Sequence, residues 1–281
     1  MQRRYSEWDI PTNGITTRVS EWGEGDRHAV LLHGVSGNRM YWTDLAPRLA
    51  AAGWHVWAPD LRGAAGSRVE DDAQVGRDID TYVADLAAWT EAAGISRFTL
   101  AGHSFGGRLA AQFAALHQDR VEKLILIAAA GPDAFQRVAQ EHPELYTGGR
   151  TFHELAEIEG PAHEVLGALR NRSADSPAPR ACYQRWFANI DIDRDGYARH
   201  HDVTATAQAQ MEIIFKDDQS PLMEKIQCPT LVLRSVDEGA MIRHTILHYV
   251  DLIPNATLID DIPGGHDAPT AAPDVVFEAF S

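Results

Sequence analysis

Only two cysteines, Cys182 and Cys228, occur in 281 residues, far apart in the chain. Neither has the spacing of a metal site or a disulfide framework, so a reduced, cytoplasmic setting is expected. No apolar run reaches the 18 residues that suggest a membrane-spanning helix. Residues Met1–Glu7 lack the apolar stretch of a secretory signal. Basic residues are in deficit, with 25 Lys and Arg against 40 Asp and Glu and a formal charge of −15. That balance disfavours a nucleic acid or an anionic membrane as a partner. Repeats and low-complexity tracts are also missing. What remains is an ordinary globular composition, 44% hydrophobic and 23% charged, enough for one large α/β domain or one domain with a sizeable insertion.

Read in order, the chain alternates short apolar strands with helical runs. Ile15–Trp22 suits an edge strand and Ala29–Leu32 a short buried one. A helix over Trp42–Ala52 precedes strand Trp54–Ala58, and a second helix, Ile79–Ala93, stops at Gly94. Strands Phe98–Ala101 and Lys123–Ala128 flank a helix over Phe105–His117. This rhythm implies a mostly parallel sheet covered by helices on both faces, with ligands at the carboxyl ends of its strands. From Gly131 to about Ser220 the strand signals fade, and Pro143, Pro161, Pro177 and Pro179 divide the run. The expected organisation is a core over 1–130 and 221–281, with a helical cap over 131–220. The strand rhythm resumes at Pro229–Arg234, followed by a helix around Ile242–Val250, strand Ala256–Ile259 and a closing helix, Ala271–Phe280.

The most informative stretch is Gly102–His103–Ser104–Phe105–Gly106–Gly107, set between a strand and an alanine-rich helix. Glycines at i−2 and i+2 allow a turn so tight that the serine stands at its apex with strained backbone and exposed Oγ. Ser104 is thus the expected nucleophile. A serine hydroxyl needs a base, and the base needs an acid to orient it. Of thirteen histidines, His266 is best placed, because it follows Gly264–Gly265 in the loop after the last strand. The acid belongs between serine and histidine in sequence, where Asp237 and Glu238 both follow the Pro229–Arg234 strand. Adjacent loop residues face different ways, so one of the pair reaches His266. The oxyanion donors are expected at the N–H of Phe105, after the serine, and of Val35, after Gly34. His103 and His33 read as braces of their loops. Asp191–Asp202 matches much of a calcium-loop pattern, but Asp replaces the final Glu, and an Asp-Gly turn accounts for it equally well.

Together these residues resemble the α/β-hydrolase family over nearly the whole chain outside the cap. The landmarks are His33–Gly34–Val35–Ser36–Gly37, Asp60–Leu61–Arg62–Gly63, the Ser104 turn, the Pro229–Arg234 strand and Gly265–His266. The resemblance implies ping-pong acyl transfer, with Ser104 attacking, His266 shuttling the proton and water releasing the acid. Three features depart from the family pattern. Ala64–Ala65–Gly66–Ser67 stands where a His-Gly-x-Ser run is usual. Ser235 stands where a glycine usually ends the acid strand, which puts Glu238 at the acid position and Asp237 one residue short. Thirdly, the nucleophile is Ser, not the Asp of similar dehalogenases and epoxide hydrolases, which argues against both activities.

The resulting expectation is a serine hydrolase of small carboxylic esters or lactones, without cofactor or metal, acting as a monomer or homodimer. A C–C bond hydrolase of a diketone would use the same triad, and Arg170, Arg172, Arg180 and Arg185 in the cap would suit an acidic substrate. A ligand-binding receptor built on the same fold is the reading outside catalysis. Trp42, Phe105, Phe135, Trp186, Phe187 and Met241 hint at an apolar pocket, although each is also explained by packing.

Overall fold

A computed structural model of the protein describes residues 5–145, 160–161, 190–192, 197–200 and 203–281. The chain opens with an antiparallel hairpin, β1 (Ser6–Thr12) and β2 (Ile15–Trp22), paired from Thr12↔Ile15 to Ser6↔Glu21. Asn13 and Gly14 at its tip both have positive φ, 38° and 82°, the geometry an Asn-Gly two-residue turn supplies. Strand β2 therefore lies second from the edge. The sequence reading placed it at the edge because β1, with four exposed residues in succession, carries little apolar signal.

The remaining strands of the main sheet are β3 (Arg27–Leu32), β4 (Trp54–Pro59), β5 (Phe98–His103), β6 (Val121–Ile127) and, after a long insertion, two further strands. The helices between them are α1 (Ala46–Ala51), α2 (Ile79–Ala92) and α3 (Phe105–Leu116). The expected Trp42–Ala52 helix is split: a 3-10 turn over Arg39–Trp42, capped by the Asn38 side chain, precedes α1. The described residues between β6 and the next strand of the main sheet include α4 (Phe135–Glu141), short strands β7 (Gly160–Pro161), β8 (Ile190–Ile192) and β9 (Tyr197–His200), then α5 (Val203–Lys216). After it come α6 (Ser220–Met223), β10 (Thr230–Ser235), α7 (Ala240–Thr245), α8 (Leu247–Leu252), β11 (Ala256–Ile262), α9 (Ala268–Ala271) and α10 (Pro273–Glu278). The expected closing helix is thus two short pieces divided at Ala272.

The sheet has eight strands in the order β1-β2-β4-β3-β5-β6-β10-β11, parallel from β4 to β11. Alternate residues on its strands feed separate cores. Val30, Leu32, Phe98 and Leu100 join α2 and α3 on one face, while Ala29, Leu31 and Ala101 meet α1 and α10 on the other. Burial of both faces explains the near-continuous apolar strands of the sequence. The chain leaves β3 toward β4 on one side and returns to β5 on the other. This reversal opens a crevice beyond the carboxyl ends of β3 and β5.

The insertion differs from expectation, since its described residues include a three-stranded antiparallel sheet, β7-β9-β8. Strands β8 and β9 pair Ile190↔His200, Asp191↔Arg199 and Ile192↔Ala198. The Asp191–Asp202 string therefore carries hairpin strands within it and is preceded by a strand residue, Ile190, and followed by α5, which is not the helix-loop-helix setting of a calcium loop. Its residues 193–196, with 201 and 202, lie outside the described residues, as do the four cap arginines, Trp186, Phe187 and Cys182. Among the described residues no helix is long and apolar enough to cross a membrane.

One buried ion pair joins three separate elements of the core. Arg62, after β4, meets Asp85 of α2 through two hydrogen bonds of 2.7 and 2.6 Å, with both residues about 5% exposed. Arg62 also donates to the carbonyls of Asn13 and Gln74, and Asn13 Nδ2 donates to Asp85. Removing one partner would leave the other charge buried and unpaired. Asp85→Ala is expected to lower unfolding stability by about 3–5 kcal/mol, read as a lower urea midpoint with an unchanged slope.

Candidate active site

The first requirement is to turn from β5 into α3 within one residue. Ser104 does this with φ 53° and ψ −119°, a region a non-glycine residue occupies only where its surroundings impose it. The surroundings are explicit. Its N–H donates to the Ile127 carbonyl at 3.2 Å, and its own carbonyl accepts from Gly107, Arg108 and Ala130. The flanking glycines are sterically required: a Cβ on Gly102 would lie 2.2 Å from the Gly106 carbonyl, and one on Gly106 2.4 Å from the carbonyls of Leu32 and His33. Phe105, the first residue of α3, is fully buried, edge-on to Tyr82. Its N–H is consequently held next to the serine.

The loop after β3 closes on the same point. A Cβ on Gly34 would meet Ser104 Cβ at 2.9 Å, so only glycine allows the backbone leading to Val35 to lie against the serine. Val35 itself is partly buried on the adjoining core. His33 braces this loop: Leu61 N–H donates to its Nε2 at 2.9 Å, and Nδ1–H faces the Gly34 carbonyl at 2.8 Å. That arrangement requires the neutral ring, and burial pushes its pKa down to about 4. Asp60, fully buried at the end of the neighbouring β4 loop, accepts from Arg39 N, Arg39 Nη1 and Gly66 N. Burial raises its carboxyl above the usual range even with the Arg39 guanidinium beside it.

The other side of the site comes from the last third of the chain. Gly264 and Gly265, both left-handed at φ 106° and 55°, turn the chain after β11 and bring His266 back over the sheet edge. A Cβ on Gly265 would lie 3.2 Å from the Asp237 carbonyl, so this turn rests on the loop after β10. Between the two adjacent acids, Glu238 faces the histidine, with Oε2 2.9 Å from His266 Nδ1 and its side chain only 4% exposed. Asp237 is exposed. Glu238 Oε1 also accepts from Gly239 N–H at 2.8 Å, and Arg243 steadies the loop through the Ser235 and Val236 carbonyls. A carboxylate at Nδ1 favours the proton there and leaves Nε2 with its lone pair.

His103 links the two sides. Its Nε2 lies 2.6 Å from the carbonyl of His266, and the two rings are 4.7 Å apart. With a carbonyl as partner, Nε2 carries the proton. Tyr41 stacks on His103 at 4.8 Å and donates to Asp267 at 3.3 Å. Sequence reasoning recognised His103 as a brace but not its partner, and missed Tyr41, the Arg39–Asp60 pair and the buried Arg108. Of the residues offered for an apolar pocket, Trp42 and Phe105 are fully buried core. Phe135 is buried as well, against Phe215, and Met241 is half-buried.

The His33 brace generates a pH dependence. Its folded pKa lies below the ordinary 6.5, so the folded state binds fewer protons than the unfolded chain between those values. Stability from this group is full above about pH 6.5 and declines as pH falls toward 4, by about 3 kcal/mol at most. Unfolding titrations of His33→Gln from pH 7 to 4 are expected to show a shallower loss than those of the parent protein.

Comparison with known proteins agrees with this architecture. The model of the alpha/beta hydrolase fold family matches residues 28–270. Epoxide hydrolase A of Mycobacterium tuberculosis is 38% identical over 113 residues, 40% of this chain and 35% of that protein. The chain thus spans about a third of the epoxide hydrolases it matches. The 2-hydroxy-6-oxo-2,4-heptadienoate hydrolase of Pseudomonas putida is 25% identical, over 89% of this chain and 85% of that protein. Among solved structures, E-2-(acetamidomethylene)succinate hydrolase superposes with a TM-score of 0.76 at 20% identity, covering 98% of this chain and 97% of that one, a likeness of fold alone. With a family model matching most of its length and the eight-stranded, mostly parallel sheet that carries a serine turn after β5, the chain belongs to the α/β-hydrolase fold family.

Proposed function

We propose that the protein is a serine hydrolase of small carboxylic esters or lactones, with Ser104 as nucleophile, His266 as base and Glu238 as its orienting acid. The observation that carries the reading is the 2.9 Å His266–Glu238 contact in a loop held to the strained serine turn through His103. In this mechanism His266 Nε2 takes the Ser104 proton as Oγ bonds to the acyl carbon. The carbonyl electrons move to oxygen, where the N–H groups of Phe105 and Val35 stabilise them. Collapse expels the alcohol, which receives the proton from His266, and leaves an acyl ester on Ser104. Water, deprotonated by the same histidine, then releases the acid and restores the hydroxyl. Glu238 holds Nδ1–H throughout and stabilises the imidazolium that forms in each half-reaction.

A second reading is a C–C bond hydrolase acting on a diketone-type substrate. It is favoured by the P. putida relative, matched over 85% of its length and named for a 6-oxo-dienoate. The epoxide hydrolase relatives match over a much shorter stretch. Epoxide opening in similar enzymes uses a carboxylate nucleophile, and here the apex residue is a serine.

With p-nitrophenyl esters of increasing chain length, the protein is expected to give a nitrophenolate burst followed by steady turnover. Ser104→Ala should lower kcat by about 10⁴-fold or more, and Glu238→Gln by roughly 10²- to 10⁴-fold. Asp237→Asn, an exposed change, should stay within about twofold. Equal inertness of parent and Ser104→Ala toward esters and lactones, with turnover of a diketone, would move the assignment to the second reading. A single slow cycle on every substrate would indicate a receptor.

A further inference from the structure

Arg108 lies four residues after Ser104 in α3, fully buried, with its N–H on the Ser104 carbonyl at 3.2 Å. A buried guanidinium ordinarily sits against a carboxylate. Here every hydrogen bond of the side chain among the described residues ends on a main-chain carbonyl. Nη1 donates to Gly131 and to Asp133, the latter at 3.1 Å, and Nη2 donates to Asp217. Gly131 and Asp133 follow β6, where the 131–220 insertion begins, and Asp217 follows α5, where it ends. One planar fork therefore holds both stems of the insertion against the helix that starts at the nucleophile.

Neighbouring contacts reinforce the junction. Gln219 N–H donates to the Pro132 carbonyl at 2.8 Å, joining the stems directly. Its Nε2 donates to Gln112 Oε1 at 2.9 Å, one helical turn beyond Arg108. Arg137 bridges Asp133 and Asp218 from the outside. An apolar side chain at 108 would avoid burying a cation whose Nε has no hydrogen-bond partner among the described residues. Its use of three carbonyls on two stems is a geometry that lysine, with a compact point charge, reproduces poorly.

We propose that Arg108 is a positioning residue that fixes the segments 131–133 and 217–219 to the helix beginning at Ser104 and thereby tunes acyl-chain selectivity at that serine. This rests on the serine-hydrolase reading for its substrate, but the tether itself is separately measurable.

The test uses Arg108→Lys and Arg108→Met in the full chain. The ratio of kcat/KM for p-nitrophenyl octanoate to that for the acetate does not depend on the fraction of folded enzyme. The expected result is a shift of that ratio by about fivefold or more, with hydrogen exchange accelerated in 131–141 and 203–217 relative to β5 and β6. An unchanged ratio with uniformly faster exchange would overturn the proposal and leave Arg108 a core residue. If neither variant folds, Gln112→Ala, which removes the neighbouring strap to Gln219, must shift the ratio and the stem exchange. Unchanged values there overturn it equally. Loss of the serine reading would appear differently, as parent turnover insensitive to Ser104→Ala, and the exchange arm would still judge the tether.

Discussion

The close approach of α3 to β5 and β3 at Ser104 is the constraint on which the site depends. Helix and strand can meet there only because Gly102 presents no Cβ to the Gly106 backbone and Gly106 none to the carbonyls of Leu32 and His33. The left-handed serine is a consequence. Its backbone strain is held by hydrogen bonds to β6 and to the first turn of α3, so the surrounding sheet, rather than any local preference, keeps the hydroxyl at the apex.

Each further part of the site is fastened to that junction by a buried polar contact. His33 ties the loop after β3 to the loop after β4, and Asp60 with Arg39 ties the latter to the 3-10 turn. His103 reaches across to His266, whose own loop rests on Asp237 and Glu238. These contacts are short-range and directional. They position loops that have little apolar surface of their own to bury, a task the hydrophobic cores on either face of the sheet cannot perform.

The parts legible in the sequence were those whose signal is local. Parallel strands buried on both faces write themselves as apolar runs, and the Ser104 turn needs glycines at fixed offsets. For this reason β2 to β6, α2, α3, β10 and the positions of Ser104 and His266 could be read directly. Strand β1 was lost because its residues are exposed and its hairpin signal is a single Asn-Gly pair. For the candidate acid the resemblance favours Glu238 over its neighbour Asp237, since spacing in a loop does not by itself say which side chain turns inward. Only the folded chain separates them: Asp237 is exposed, whereas Glu238 turns toward His266 from a distant part of the chain with its side chain 4% exposed.

Arg108 marks the limit of such reading. Within Phe105–Leu116 the only polar side chains are Arg108 and Gln112, four residues apart and so on one face of an otherwise apolar helix. An isolated polar stripe on a buried helix implies polar partners elsewhere, but which partners they are depends on where the insertion leaves and rejoins the sheet. The carbonyls of Gly131, Asp133 and Asp217 supply them, from positions up to 109 residues away. The same helix thus presents the serine at its first turn and grips both stems of the insertion along its flank.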